Sequence, residues 1–172
     1  MPEHREGTPR PLQILESFLW HDFGAGLADW MTWVHRKMPD ISGKVAAAAF
    51  DSAIDLHAAL RSLQAANSRD DAPEAAPSHK VLDRLIVHHG IRPCLDAEGA
   101  VRLVSEQQED PIGPLVIAAL EAMQSGAWRR FKLCREPTCR ASYYDASKAV
   151  AKTWCSMETC GSRNKMRRYR AK

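Results

Sequence analysis

Four cysteines near the end of the chain are spaced Cys134-x4-Cys139-x15-Cys155-x4-Cys160. Thiolates are soft, negatively charged ligands, and two short loops carrying two each can supply the four corners of a tetrahedron around zinc. The four-residue gaps stand at the wide end of the usual ligand spacing, and the longer spacer lies within its range. Buried or redox-active thiols are the competing reading of the same residues, and the symmetric spacing favours the metal. Four thiolates close the coordination shell and leave no place for a reacting water, so the expected zinc is structural, one per chain. Cys94 stands far upstream with no activating neighbour in the sequence, and reads as a small core residue. The odd total argues against a disulfide framework.

After Cys160 the chain continues Gly161-Ser162-Arg163-Asn164-Lys165-Met166-Arg167-Arg168-Tyr169-Arg170-Ala171-Lys172. Ser162 is expected to cap a helix on which Arg163, Arg167 and Arg170 recur at steps of four and three. Met166 and Tyr169 fall on another face, expected to rest on the metal site. Arg163, Lys165, Arg167, Arg168 and Arg170 are the candidate nucleic-acid contacts. A guanidinium presents two donors to a phosphate at once and keeps its charge at any physiological pH. The net charge of +3 supports this division: residues 1–126 hold 11 Lys+Arg against 18 Asp+Glu, and residues 127–172 hold 13 against 3. A solvated basic terminus is the plainer alternative. Four thiolates and one Zn²⁺ lower the segment's charge only to about +8, more than local neutralisation requires.

These groups need elements to hold them. Residues 1–10 carry no apolar side chain beyond Met1 and read as a loose tail. Leu12, Leu15 and Leu19 begin a helical pattern that pauses at Gly24 and Gly26 and resumes with Leu27, Trp30 and Val34. Trp20, Trp30 and Trp33 are expected in the core. Pro39 to Gly43 forms a turn, after which Ala49, Ala53, Leu56, Leu60 and Leu63 mark one face of a long helix fraying near Asn67. Ser68 to Ser78 reads as a linker. Val81, Leu82, Leu85, Ile86 and His89 share a stripe that Gly90 ends. Arg92–Leu95 and Val101–Val104 predict a β-hairpin around Asp96-Ala97-Glu98-Gly99. Pro111 or Pro114 opens an apolar, centrally buried helix ending at Gly126. In a small cysteine module, Tyr143, Tyr144 and Trp154 are the expected satellite core. The fold class is therefore mainly α with a small β-hairpin, in two parts: a helical domain over 11–126 and a small four-cysteine module over 127–172 that ends in a basic helix.

Several functions lack their signatures. The chain has no G-x-G-x-x-G, no Walker loop, no G-x-S-x-G elbow and no H-E-x-x-H helix, so it is not expected to be an enzyme. His88-His89, closing an amphipathic helix, reads as structural. The start Met1-Pro2-Glu3-His4-Arg5-Glu6 has no apolar run of the signal-peptide kind. The charge-free stretch Pro111 to Leu120 is half of the roughly 20 residues a membrane span needs. Clustered thiols without that export signal place the expected protein in a reducing cytoplasm.

Residues from about Phe131 to Lys172 resemble the CGNR zinc finger. The resemblance rests on Cys134, Cys139, the Tyr143-Tyr144-Asp145-x-Ser147-Lys148 run, Trp154-Cys155, and Cys160-Gly161-x-Arg163 followed by Lys165. Ser162 replaces the asparagine of the family's tetrad, and either side chain accepts a hydrogen bond at a helix start. The resemblance implies a treble-clef-like finger, built as knuckle, short hairpin and basic helix, and preceded by a helical domain of the ABATE type. It also implies a bacterial, stress-responsive regulator of transcription that binds duplex DNA. The helical part is similar to that domain in size and order, and is expected to sense a ligand or form a homodimer. A zinc-stabilised protein-interaction module and an RNA-binding protein are the alternatives.

Overall fold

The computed structural model describes residues 8–24, 26–68, 74–107 and 109–171. The leucine and tryptophan spacing produces α1 (Gln13–Trp20) and α2 (Leu27–Lys37), with Gly26 at φ +77° in the break between them. Trp30 and Trp33 are wholly buried and stack with centroids 5.6 Å apart. Their indole N–H groups donate to Ala46 O at 2.6 Å and Ser17 Oγ at 3.1 Å, which removes the cost of burying them. Ser42 accepts from Val45 N at the start of α3 (Gly43–Ala48). The long helix α4 (Phe50–Ala66) follows and buries Ala53, Leu56, Leu60 and Leu63 on one face, as their spacing predicts.

The tail is shorter than the sequence indicates: Thr8 is buried, and Arg10–Leu12 form a 3₁₀ turn that delivers Leu12 to the core. Residues 1–7 lie outside the described set, as do 69–73 of the predicted linker. Ser68 is buried rather than part of a solvated connection, and α5 (Ala76–His88) starts with Pro77 in its first turn.

The hairpin forms as predicted, β1 (Ile91–Leu95) antiparallel to β2 (Val101–Ser105), with Leu95 opposite Val101. Asp96 Oδ1 accepts from the amides of Glu98 and Ala100 and closes its turn. Cys94, expected in the core, is exposed, because the strand projects from the helices with little packed over it. The helix α6 (Ile112–Gln124) is central, with Ile112, Leu115, Val116, Ala119 and Ala122 wholly buried. Asp110 accepts from Ile112 N and Gly113 N, each at 3.0 Å, and its Oδ2 lies 2.5 Å from Nδ1 of the buried His89. Burial alone would raise the Asp110 carboxyl, but His89 and the two amides outweigh it and hold it below the usual range. His89 thus ties α5 to the start of α6, a structural role.

His57 on α4 sits edge-on to Phe18 and Phe23, each centroid 5.4 Å away. Burial, with the charge of Arg61, pushes its pKa down to about 4 against the carbonyls of Leu19 and His21. Between that value and the ordinary 6.5 the unfolded chain binds a proton that the folded chain refuses, so stability falls as pH drops through this window. We expect the loss to reach at most about 3 kcal/mol. Urea unfolding at pH 7 and pH 5 checks it, with His57→Gln showing a correspondingly smaller difference between the two.

Candidate metal centre and basic helix

The cysteines are carried by a short hairpin and a helix. β3 (Phe131–Leu133) pairs antiparallel with β4 (Ser142–Tyr144), Phe131 opposite Tyr144 and Leu133 opposite Ser142. Cys134 and Cys139 lie in the connection between these strands, so the hairpin encloses the first cysteine pair where the expected order put the knuckle before it. Arg140, at φ +49°, reverses the chain after Cys139. A loop then leads to Cys155, and Cys160 lies in a wide turn, Met157–Gly161, that runs into α7 (Ser162–Arg170). The cap is Ser156 and not Ser162: its Oγ accepts from Thr159 N, and its carbonyl accepts from the amides of Cys160 and Gly161. The helical segment therefore starts a turn earlier than expected.

The four Sγ atoms all lie within 4.8 Å of one another. Cys155 Sγ is 3.7 Å from both Cys139 Sγ and Cys160 Sγ. A tetrahedron with zinc–sulfur bonds of about 2.3 Å has edges of about 3.8 Å, whereas a disulfide needs about 2.05 Å. The site has the dimensions of zinc, not of paired cystines. Burial pushes the Cys134 thiol up to about 12, so an added cation is what would make it a thiolate at neutral pH. The Cys155 amide donates to Cys134 Sγ at 3.5 Å, the kind of outer contact that steadies a ligating sulfur. These residues fit a structural Zn²⁺ held by Cys134, Cys139, Cys155 and Cys160.

A second buried group sets the loop into Cys155. Asp145 is fully buried and accepts from Lys132 Nζ (2.8 Å), Lys152 N (2.9 Å), Ser147 N (3.0 Å) and Ser147 Oγ (2.5 Å). Lys132 Nζ also reaches Val150 O at 2.5 Å. Burial opposes the charge on Asp145, but Lys132 and the Ser147 and Lys152 donors prevail and bring its pKa to about 2. Tyr143, packed in the cysteine cluster, donates to Lys152 O at 2.6 Å. Tyr144 does not join that cluster as expected: it turns to the helical core, 5.2 Å from Phe131 centroid to centroid.

The basic helix is phased differently from expectation. Cys160 is fixed on the inner side, and Arg167, seven positions on, turns inward with it to the knuckle. Arg167 Nη2 meets Oε1 of the fully buried Glu136 at 2.5 Å, and this bond, over the opposing effect of burial, holds the Glu136 carboxyl below its usual range. Arg167 therefore locks the helix to the knuckle, a partner that its reading as a phosphate contact did not include. Met166 and Tyr169, expected beneath the helix, are exposed at 52% and 78%. Arg163, Lys165, Arg168 and Arg170 are exposed and have no ion-pair partner among the described residues. A groove of about 590 Å³ runs beside α7, lined by Trp154, Asn164, Lys165, Met166, Arg168 and Tyr169.

The finger is also tied to the helical part, which it follows after Gly126, where the chain turns at φ +73° beyond α6. Phe131 is wholly buried within the helical core. One side of α4 bonds into the finger: Arg61 Nη2 donates to Arg140 O (2.8 Å) and Gln64 Nε2 to Ser142 Oγ (2.7 Å). Asn67 Nδ2 donates to Trp128 O (2.8 Å) and Phe131 O (3.0 Å). Just beyond, Ser68 Oγ accepts from Leu133 N at 2.7 Å, and Ser68 O accepts from Arg135 Nε. Sequence reasoning missed Glu136, Asp145 and Ser68 as organising residues. A signal existed for the first two, since only three acids occur among residues 127–172 and an acid in so basic a segment needs a reason.

Fold and site together define a mainly helical protein carrying a four-cysteine zinc finger. Residues 130–172 match the CGNR zinc finger. No curated protein matches the chain. No helix among the described residues is long and apolar enough to cross a membrane.

Proposed function

We propose that this protein is a DNA-binding regulator of transcription, with the zinc finger holding α7 against the phosphate backbone and the helical part governing when it binds. The observation that carries this reading is the set of four exposed cations on α7, Arg163, Lys165, Arg168 and Arg170, none with an ion-pair partner among the described residues. They stand on a segment whose charge is opposite to that of the rest of the chain. The resemblance adds the bacterial, stress-responsive setting, and four reduced thiolates suit a cytoplasm.

With Arg167 engaged by Glu136, four phosphates are neutralised rather than five. The logarithmic salt slope on random duplex DNA should be about −3.6. Fluorescence anisotropy across a salt series checks it. The quadruple alanine variant at 163, 165, 168 and 170 should lose nearly all binding while keeping its zinc, and unchanged binding in that variant would remove the proposal. A homodimer is the partner that Leu95 and Val101 favour, since this cross-strand pair at the hairpin tip is 67% and 71% exposed. Sedimentation of the wild type beside Val101→Lys would report it.

A further inference from the structure

Two large apolar side chains stand in the open on the most basic helix of the molecule, and the phosphate reading above does not use them. At about 100° per residue, Met166 and Tyr169 project within about 60° of each other and form one exposed ridge, bordering the groove they share with Trp154, Lys165 and Arg168. Arg163 and Arg170 lie roughly 40–60° to one side of Met166, and Lys165 and Arg168 roughly 40–100° to the other side of Tyr169. The ridge is thus bordered by cations on both flanks. The inner face is held at Cys160 by the metal site and at Arg167 by Glu136, so the helix cannot roll to hide the ridge. The third acid of the basic segment, Glu158, lies ahead of α7 in the wide turn.

That cross-section matches the major groove of B-form DNA. The groove is about 12 Å wide, the diameter of a helix with its side chains; its walls are phosphates and its floor carries base edges, among them the thymine methyl group. A helix with cations on both flanks and an apolar crest neutralises both walls and presses its crest to the floor. In A-form RNA the corresponding groove is too deep and narrow for side chains to read. We propose that α7 lies in the major groove of duplex DNA with Met166 and Tyr169 against thymine methyl groups, so that these two residues, not the arginines, supply base preference. This inference rests on the DNA-binding reading and extends it from affinity to specificity.

The experiment uses the full zinc-loaded chain. Duplexes are selected from a random library by the wild type and by Met166→Ala/Tyr169→Ala, and the wild-type winner is then remade with deoxyuridine for thymidine, which removes only the methyl groups. The wild type should select a thymine-containing motif, bind it about tenfold or more above random duplex, and lose most of that margin on the uracil version. The double variant should retain the wild-type zinc content and salt slope on random duplex while losing the margin. A motif bound equally well with uracil, a preference surviving in the double variant, or duplex RNA bound as tightly as DNA would each overturn the inference while leaving polyanion binding in place. Failure of the wild type to bind duplex DNA at all would overturn the DNA-binding reading, and this one with it.

Discussion

Chelating the zinc should unfold the C-terminal quarter of the chain and leave the helical body standing. The finger's own buried cluster is Cys134, Tyr143, Cys155 and Cys160, with little else packed on it, and its strands have three residues each. Such a core cannot offset the entropy of ordering about 40 residues. Zinc bound by four thiolates contributes about 10–16 kcal/mol of apparent free energy at neutral pH, and in a module this size that is folding free energy. Hydrogen exchange read by mass spectrometry should show residues 134–170 exchanging as an unfolded chain after chelation, while α1, α2 and α6 stay protected. The end of α4 should loosen, because Gln64, Asn67 and Ser68 lose their partners in β3 and β4. Full protection of α7 in the metal-free protein would contradict this account.

Replacing Asp145 with alanine should cost about 3–5 kcal/mol, the range for removing one partner of a buried ion pair. The ammonium of Lys132, only 9% exposed, would be left facing carbonyls with no counter-charge. The loop from Ser147 to Lys152 would lose the carboxylate around which it folds. That loop delivers Cys155, so the loss should also appear as zinc affinity weakened roughly 100-fold or more in competition with a chelator. Asp145→Asn/Lys132→Met, which removes both charges together, should recover much of the stability, since the dominant cost in the single variant is the stranded charge. The carboxyl titrates at about 2 in the folded state, below its ordinary 3.8, so its contribution is complete above pH 4 and disappears as pH falls through the folded value. A single variant as stable as the wild type at pH 7 would sink the argument.

Periodicity locates most helices because burial of one face is written every three or four residues, as in Ala53, Leu56, Leu60 and Leu63. The metal ligands are legible for a similar reason, since coordination demands residue types at fixed short separations. Contacts joining distant segments leave no such trace: Glu136 meets Arg167 across 31 positions, and Gln64 meets Ser142 across 78. The phase of α7 departs from expectation for a specific reason. Apolar side chains usually set which face of a helix is buried, but here a metal ligand does, and counting forward from Cys160 rather than inward from Met166 and Tyr169 gives the observed orientation. Cys94 lies outside the core because a projecting two-stranded hairpin exposes both faces, and alternation along it says nothing about burial.

The insertion of Phe131 into the helical core bears on how portable this finger is. Cut at residue 127 and fused to another protein, the finger would carry Phe131 and Tyr144 as bare apolar surface, and the donor would be left with a hole of aromatic size. Chimeras with exchanged C-terminal fingers should therefore work only when the receiving helix α4 brings residues equivalent to Gln64, Asn67 and Ser68. The two parts differ in charge and in the means by which they fold, yet each completes the other's buried surface.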